Sequence, residues 1–369
     1  MEGATLVRIA SVAALHRIDA SPRNVYVRHE DGVIIATFGG LHISGTVRAV
    51  DPTNIPPWAV KADQLAGMVS LFEGADVQIV NSASSITLKS TDRKVNLRRV
   101  STDSPSADVE PGEAVIIVDR ASLLEEVDIA KGFCSTISTQ MPIITGVRLM
   151  SNVSKALVVS AFDGKSGLFL GSVNADDVTQ PCDVTLPPDD LILALSTMRD
   201  DKVSISLVLN NNGKISRVVI SDSAASVALA VHQGTWPNIR SFLTSRKGSV
   251  VAIDSGRVDL VQKAIKGLNS EETLVLETVD GELIARTVEN EAGVFSITVG
   301  SNAPAGFSAS FSTDATKLFL RIGEELEVNL PDSDRAPVMV KCGSRRVWVP
   351  LKVKLAVPEE LPEPQEVTF

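Results

Sequence analysis

The chain has 369 residues, 44% of them hydrophobic and 22% charged, with a formal net charge of −10 and a pI near 5.0. Its length predicts two or three domains with sizeable cores, and its composition is ordinary for a soluble globular protein. The acidic balance argues against a protein that grips nucleic acid over its whole surface, because such binding uses Lys and Arg to neutralise phosphates, but it permits a local basic surface.

Several chemistries are disfavoured by what the chain lacks. No apolar run approaches the roughly 18 residues that span a membrane, and the N-terminus "MEGATLVRIA" lacks the layout of a signal peptide, so we expect a cytoplasmic protein with no membrane partner. No disulfide framework, metal site or cofactor is indicated, because the cysteines and histidines are few and not at ligand spacings. They are Cys134, Cys182, Cys342, His16, His29, His42 and His232.

Alternating strand patterns run through the whole chain and are rich in Val, Ile, Ser and Thr. They include "VYVRHEDGVIIATF", "VQIVNSASSITLKS", "KALVVSAF" and "KVSISLVLNNNGKISRVVIS". Hairpin signals lie at Asp31-Gly32, Asn212-Gly213 and Asp280-Gly281. With only short helical patterns between the strands, the predicted fold class is α+β, dominated by antiparallel sheet.

Two sequence units recur three times. The first comprises "VKADQLAGMVSLFEGADVQIV", "VTLPPDDLILALSTMRDDKVSISLV" and "FSASFSTDATKLFLRIGEELEVNL", each predicting a strand, a short helix, an acidic turn and another strand. Before each stands "LVRIASVAALHRID", "VIIVDRASLLEEVDIAKGF" or "SVVAIDSGRVDLVQKAIKGL", which predict an apolar strand followed by an amphipathic helix. The repeats predict domains at residues 1–110, 111–246 and 247–356, each with two helices and two antiparallel sheets.

The stretch "SAFDGKSGLFLG" raises the question of a phosphate-binding loop, because it contains Gly164-Lys165-Ser166. The full pattern needs a further glycine five residues earlier, where this chain has Val159. No helix signal follows. We therefore predict a strand that ends in a tight turn and not a nucleotide site.

The triple repeat resembles the bacterial DNA polymerase sliding clamp, the beta subunit of the replicative polymerase, from about Thr5 to Leu355. "SAFDGKSGL" is similar to the family's alanine-threonine-aspartate-glycine-histidine-arginine hairpin, with departures at Lys165 and Ser166. "TWPNIRSFL" matches a family segment at Trp236 and Pro237. "VWVPLKVKL" is similar to the final family strand, although Val349 replaces its methionine.

The resemblance implies a non-enzymatic processivity factor in which two chains join head to tail as a six-domain ring around duplex DNA. A ring holds DNA by topology, so an acidic protein can serve. The implied partners are double-stranded DNA, the replicative polymerase, the clamp loader and a second copy of the chain. The polymerase and other replication proteins would insert a short peptide into a hydrophobic groove between domains two and three. By position, the groove would be lined by Ile144, Ala161, Phe162, Gly164, Pro237, Phe242, Val347, Val349, Pro350 and Leu351.

Helical projection suggests which residues face the DNA. In "GRVDLVQKAIKGL", one apolar stripe comprises Val258, Val261, Ile265 and Leu268, which leaves Lys263 and Lys266 off the stripe. In the first helix Leu15 and Ile18 point inward and Arg17 outward, and Arg23 follows in the next loop. Lys317 and Arg321 are four residues apart and would share one helix face. Glu125 and Asp128 depart from a basic lining because they project outward too, and an ordinary solvated helix face remains the alternative for all of these residues.

A structural or adhesive protein of tandem β-rich domains without DNA binding is the alternative function, and an enzyme is the third choice because no His–Ser, His–Cys or metal constellation occurs. The segment 357–369 predicts an extended acidic tail. Its end, "QEVTF", loosely resembles the glutamine-first peptides that clamps bind, which raises the possibility that the tail docks in the groove.

Overall fold

A computed structural model describes most of the chain. The described residues are 3–17, 24–40, 42–51, 55–72, 75–102, 108–136, 141–151, 155–164, 167–239, 248–268, 273–331 and 337–349. They form two compact units. One contains the described residues up to Gly164 together with Leu168–Pro237, and the other contains Gly167 and those from Asn238 onward.

Six α-helices occur in the described residues. They are α1 (Gly3–Ala13), α2 (Ala62–Met68), α3 (Arg120–Lys131), α4 (Pro188–Thr197), α5 (Ser255–Gly267) and α6 (Thr313–Leu320). Short 3-10 turns lie at Ala14–Arg17, Val69–Phe72 and Pro142–Thr145. The helices pack in sequential pairs, α1 with α2, α3 with α4 and α5 with α6.

The first third of the chain forms a four-stranded antiparallel sheet in the order β4–β1–β2–β3 and a separate three-stranded sheet in the order β5–β6–β7. The strands are β1 (Asn24–Glu30), β2 (Val33–Gly39), β3 (Ile43–Val50), β4 (Trp58–Lys61), β5 (Gln78–Asn81), β6 (Ser85–Lys89) and β7 (Lys94–Arg98).

The middle third repeats this plan with two four-stranded sheets, β12–β9–β10–β11 and β8–β13–β14–β15. The strands are β8 (Ala114–Asp119), β9 (Val147–Ser151), β10 (Ala156–Phe162), β11 (Leu168–Val178), β12 (Cys182–Leu186), β13 (Lys202–Leu209), β14 (Ile215–Ser221) and β15 (Ala225–Ala230). β8 also pairs with the end of β11. β3 pairs with β15, with Val47 opposite Ala225 and Ile43 opposite Leu229, so one sheet crosses the predicted domain boundary.

The second unit again has two four-stranded sheets, β20–β17–β18–β19 and β16–β21–β22–β23, which are joined where Ile253 pairs with Gly300. The strands are β16 (Gly248–Asp254), β17 (Thr273–Val279), β18 (Glu282–Thr287), β19 (Ser296–Ser301), β20 (Ser308–Ser312), β21 (Glu325–Pro331), β22 (Val338–Cys342) and β23 (Arg345–Val349). Both predicted repeat units are therefore seen in the middle and last thirds, and the α+β, antiparallel fold class is confirmed.

The start of the chain differs from its prediction. We expected an apolar strand before the first helix, but the described residues 3–17 are helical from Gly3. Leu6, Ile9, Ala10 and Ala13 are buried, and their spacing of three to four residues matches one face of a helix. The apolar run that suggested a strand is the buried face of α1.

The hairpin signals are confirmed. Asp31 and Gly32 have φ angles of 49° and 79°, and Asp280 and Gly281 have 50° and 83°, the pair of positive angles that a two-residue hairpin turn requires. Gly164 has a φ of 80° two residues after the end of β10, and β11 begins at Leu168 and pairs antiparallel with β10. The Gly164 region is thus a hairpin and not a phosphate-binding loop.

Candidate functional site

The helix α5 separates a buried stripe from an exposed basic edge, as predicted. The carboxylate of Asp254 accepts a hydrogen bond of 3.2 Å from the backbone N–H of Arg257 and caps the helix. Val258, Val261 and Ile265 are at most 3% exposed. Lys263 and Lys266 are exposed, which leaves their ammonium groups available on the helix surface.

The two lysines differ in their surroundings. Lys263 Nζ lies 2.6 Å from Asp259 Oδ2, one turn earlier on the same face. Among the described residues, no carboxylate pairs with Lys266. Lys266 is therefore the predicted DNA-facing cation on α5 whose charge is not matched locally.

The helix α6 offers less than the sequence suggested. Lys317 Nζ pairs with Asp314 Oδ1 at 3.1 Å, and both side chains are exposed. Arg321 is exposed but lies in the turn after Leu320, where the helix ends. Arg321 directly follows the last residue of the helix, and a shared face for Lys317 and Arg321 stays a prediction.

The α3–α4 pair carries acidic groups outward. Glu125 and Asp128 are exposed, as predicted, and Lys131 Nζ lies 2.5 Å from Asp189 Oδ1 of α4. The side chain of Arg17 and the whole of Arg23 lie outside the described residues. On the described helices, the exposed Lys131, Lys263 and Lys317 each pair with an aspartate.

The predicted groove residues of the first unit lie close together. Ile144 is buried in the 3-10 turn Pro142–Thr145, and its side chain comes within 3.8 Å of the position that a Cβ on Gly164 would take. Ala161 is buried in β10, and Phe162 ends that strand half-buried. The chain before Pro237 runs past Ile143, whose side chain lies 3.6 Å from a Cβ built on Gly234. Pro237 itself is half-buried.

In the second unit, Val347 and Val349 are fully buried in β23. Phe242, Pro350, Leu351 and the tail 357–369 lie outside the described residues, as do Lys165 and Ser166. The groove as a whole remains a prediction.

Sequence reasoning missed an interaction of Arg148 with Asp183 and Trp236. Arg148 Nε donates a 2.7 Å hydrogen bond to Asp183 Oδ1, and Arg148 Nη2 donates one of the same length to Asp183 Oδ2. The Arg148 guanidinium also lies 5.5 Å from the centre of the Trp236 ring, within cation–π range. These groups border a cleft of about 540 Å³ that also includes Lys214 and His232. Only the register of β9 on β12 brings Arg148 near Asp183, so no local sequence signal identifies this interaction.

His232 lies at the rim of the same cleft. Its Nε2 is 3.5 Å from Thr145 Oγ1, and its backbone N–H donates to the carbonyl of Thr185. Burial lowers the pKa of His232 below its ordinary value, and the nearby His42 adds a smaller effect in the same direction. The neutral imidazole is the favoured form in the folded protein.

Two of the three cysteine thiols have strongly raised pKa values. Burial is the largest cause that raises the pKa values of Cys134 and Cys182 to about 12, which disfavours the nucleophilic thiolate. Within the described part of the chain, no group of three His, Cys, Asp or Glu side chains could hold a metal ion. None of the helices described above has the length and apolar character that crossing a membrane requires.

Comparison with solved structures identifies the fold. The DNA polymerase sliding clamp from Pseudomonas aeruginosa superposes with a TM-score of 0.79 at 17% identity, over 96% of this chain and 98% of that one. The beta subunit of DNA polymerase III from Thermotoga maritima gives 0.79 at 15% identity over the same shares, and the clamp from Caulobacter crescentus gives 0.78 at 16%. No family model and no curated protein matches the sequence.

Low identity with near-complete coverage means that the architecture is shared although most side chains differ. The resemblance inferred from the triple repeat is confirmed at this level. The chain has the fold of the bacterial DNA polymerase sliding clamps, as a divergent example of it.

Proposed function

We propose that this protein is a DNA sliding clamp, a non-catalytic processivity factor that encircles duplex DNA and tethers a replicative polymerase and other replication proteins. The observation that carries the proposal is the match to sliding clamps over 96% of the chain, with a pair of helices and two sheets in every third. An acidic protein fits this role, because a ring retains DNA by closure and has no need of tight phosphate binding.

The proposed ring is a head-to-tail homodimer, and the strand pairing within the first unit suggests how it closes. β3 ends the first sheet of one domain and pairs antiparallel with β15, which ends the second sheet of the next. By their place in the repeat, β19 corresponds to β3 and β7 corresponds to β15. The same joint between two chains would pair β19 of one chain with β7 of the other, and cyclic closure would remove both open edges.

Transferring the β3–β15 register to this joint gives specific neighbours. Lys94 would lie opposite Ser296 and Val95 opposite Phe295, while Arg98 would lie towards Glu291. Val294, beside this contact, is 47% exposed in the single chain. The joint therefore offers an apolar centre and opposite charges at its end.

The topological part of the proposal is tested by loading the protein with a clamp loader onto nicked circular DNA and then linearising the circle. A closed ring slides off the ends, so we expect release on linearisation and retention on the intact circle. Retention on the linear DNA would contradict encirclement. An elongated monomer that does not load would instead favour the structural or adhesive alternative.

We also propose that partner peptides bind beside the Gly164 hairpin, where Ile144, Ala161 and Phe162 come together. Ile144→Asp should abolish binding of a polymerase-derived peptide because it places a charge in the apolar lining. Val208→Asp, at an exposed position on β13, is the matched control. Equal peptide affinity in both variants would place the peptide elsewhere. The clamp of P. aeruginosa has been solved bound to griselimycin, and displacement of the peptide by that compound is a second readout.

A further inference from the structure

The cleft of about 540 Å³ beside Trp236 lies within the first unit and is shaped by fixed backbone. The N–H of His232 donates a 2.9 Å hydrogen bond to the carbonyl of Thr185 in β12. Gln233 Nε2 donates one of 3.2 Å to the carbonyl of Ile215 in β14. The segment that leads to Trp236 is therefore attached to both sheets of the domain, and the cleft has the volume of a small-molecule site.

Lys214 places a cation at the edge of this cleft. It lies in the turn between β13 and β14, where its carbonyl accepts a 2.8 Å hydrogen bond from the N–H of Asn210 and its N–H donates one of 3.0 Å to Asn210 Oδ1. Lys214 is exposed, and among the described residues no carboxylate pairs with it. The turn thus holds the backbone while the ammonium group stays available.

Arg148 has a donor that Asp183 does not use. Its Nε and Nη2 donate to the two oxygens of that carboxylate, and within the described ranges Nη1 has no acceptor. A guanidinium carries five N–H groups in a plane, so Arg148 can keep Asp183 and donate to a second carboxylate. Its position 5.5 Å from the centre of the Trp236 ring fixes where that donor lies.

The remaining wall of the cleft is apolar. Trp236 and Ile215 are half-buried and both line it. The indole Nε1 of Trp236 is buried, and no group in the described part of the chain accepts its hydrogen bond. An unmatched buried N–H favours a ligand that brings an acceptor. Among the described residues that line the cleft, the only carboxylate is that of Asp183, which Arg148 already engages.

We propose that the cleft beside Trp236 binds a small carboxylate with an aromatic or apolar body. The carboxylate accepts from the ammonium of Lys214 and from Arg148 Nη1, and the body packs on Trp236 and Ile215. The excess of donors over acceptors selects an anion, and the apolar wall selects one that carries a hydrophobic group. Gly164 does not line this cleft, so the site is separate from the proposed peptide groove and does not depend on clamp function.

The probe is phenylacetate, titrated into the isotope-labelled full chain and followed by the indole N–H resonances in NMR spectra. The chain has three tryptophans, and Trp58 and Trp348 are at most 8% exposed, so Trp236→Phe assigns the reporting signal. We expect a saturable shift of the Trp236 resonance while the other two stay in place. Phenylacetamide, which has the same shape without the charge, and inorganic phosphate, which lacks the body, should each bind more weakly by about tenfold or more.

Three variants test the assigned residues. Lys214→Gln should weaken phenylacetate binding by about threefold or more, since an exposed ion pair is lost. Lys89→Gln removes another exposed lysine that has no described carboxylate partner, and it is the matched control with unchanged affinity. Asp183→Asn should tighten binding, because it removes the competing carboxylate but keeps an oxygen for Arg148. The Asp183 side chain is 57% exposed, and circular dichroism checks that each variant folds.

The outcomes separate clearly. A saturable shift of the Trp236 resonance with the expected order of ligands and variants supports the site. The proposal is overturned by the absence of a saturable shift, by equal binding of phenylacetate and phenylacetamide, or by equal affinities of Lys214→Gln and Lys89→Gln. A folded Asp183→Asn variant that binds phenylacetate no more tightly than the wild type would also overturn it.

Discussion

In the proposed clamp, individual charged residues would decide how strongly the surface of α5 attracts DNA. Lys263 must leave its 2.6 Å contact with Asp259 to reach a phosphate, whereas Lys266 is not held by a described carboxylate. Exposed ion pairs are weak, but they occupy the ammonium group. The same helix therefore carries Arg257 and Lys263 in ion pairs with aspartates, whereas Lys266 has no described carboxylate partner.

Lys266→Gln should reduce the salt dependence of duplex binding, with the slope of log K against log salt falling in magnitude by about 0.9, since one phosphate contact is lost. Asp259→Asn should change the slope in the opposite direction, because it releases Lys263. The measurement is binding to a duplex across a salt series. Unchanged slopes in both variants would show that α5 does not face the DNA.

His232 should make the free energy of unfolding depend on pH. Burial lowers its pKa in the folded state, so the unfolded chain binds the proton more readily and stability rises with pH. The stability contributed by the neutral form is present above the unfolded pKa of about 6.5 and is lost as pH falls below it. His232→Gln should flatten the urea midpoint between pH 7 and pH 5. A wild-type midpoint that is constant over this range would contradict the assignment.

At the scale of secondary structure, helix caps join the repeated strands to their helices. Asp119 ends β8 and its side chain accepts a 2.7 Å hydrogen bond from the backbone N–H of Ser122, and this interaction lowers the pKa of Asp119. The Asp254 side chain likewise accepts a 3.2 Å hydrogen bond from the backbone N–H of Arg257 at the start of α5. The second and third predicted domains thus both begin their first helix with an aspartate cap.

Asp119→Ala should reduce the free energy of unfolding by about 0.5–2 kcal/mol, the usual cost of losing such a cap. Asp119→Asn keeps an acceptor and should cost much less. Because the folded pKa of Asp119 is lowered, the difference between wild type and Asp119→Ala is full above the unfolded pKa and shrinks as pH falls through the folded pKa. Urea titrations at pH 7 and pH 3 measure this, and equal losses from both substitutions would rule out a cap.

Much of the element pattern could be predicted from the sequence, because hairpin residues and the α5 stripe act locally. Asp31-Gly32 specifies its turn through backbone conformation, and Val258, Val261 and Ile265 share a face by helical spacing alone. The strand expected near Leu6 was wrong because a short apolar run fits either a strand or a buried helix face. Arg148, Asp183 and Trp236 could not be linked in advance, because their contact depends on strand register and a distant loop.

At the scale of the whole molecule, the proposed ring depends on two open sheet edges with different charges. β7 carries Lys94 and Arg98, and the chain before β19 carries Glu289 and Glu291. Opposite charges at the ends of an interface favour correct pairing and are weakened by salt. Electrostatics would thus fix the head-to-tail direction.

Arg98→Glu should shift the protein from dimer to monomer, because it places like charges at the joint. Glu291→Arg in the same chain should restore the dimer by reversing the pair. If other charges contribute to the joint, high salt should weaken the wild-type dimer more than the dimer of the double variant, each compared with its own low-salt state. Sedimentation at micromolar concentration measures each state. A trimer, or an Arg98→Glu variant that remains fully dimeric, would contradict the proposed joint.

The β3–β15 ladder makes the first two predicted domains halves of a single folding unit. Residues on either side of the predicted boundary share one hydrogen-bonded sheet, so cutting the peptide backbone between residues 110 and 111 removes a covalent link but none of the cross-strand bonds. The two fragments should therefore stay together as a complementing pair, and each alone would expose a long sheet edge. The β3–β15 ladder therefore holds the two predicted domains together independently of the linker between them.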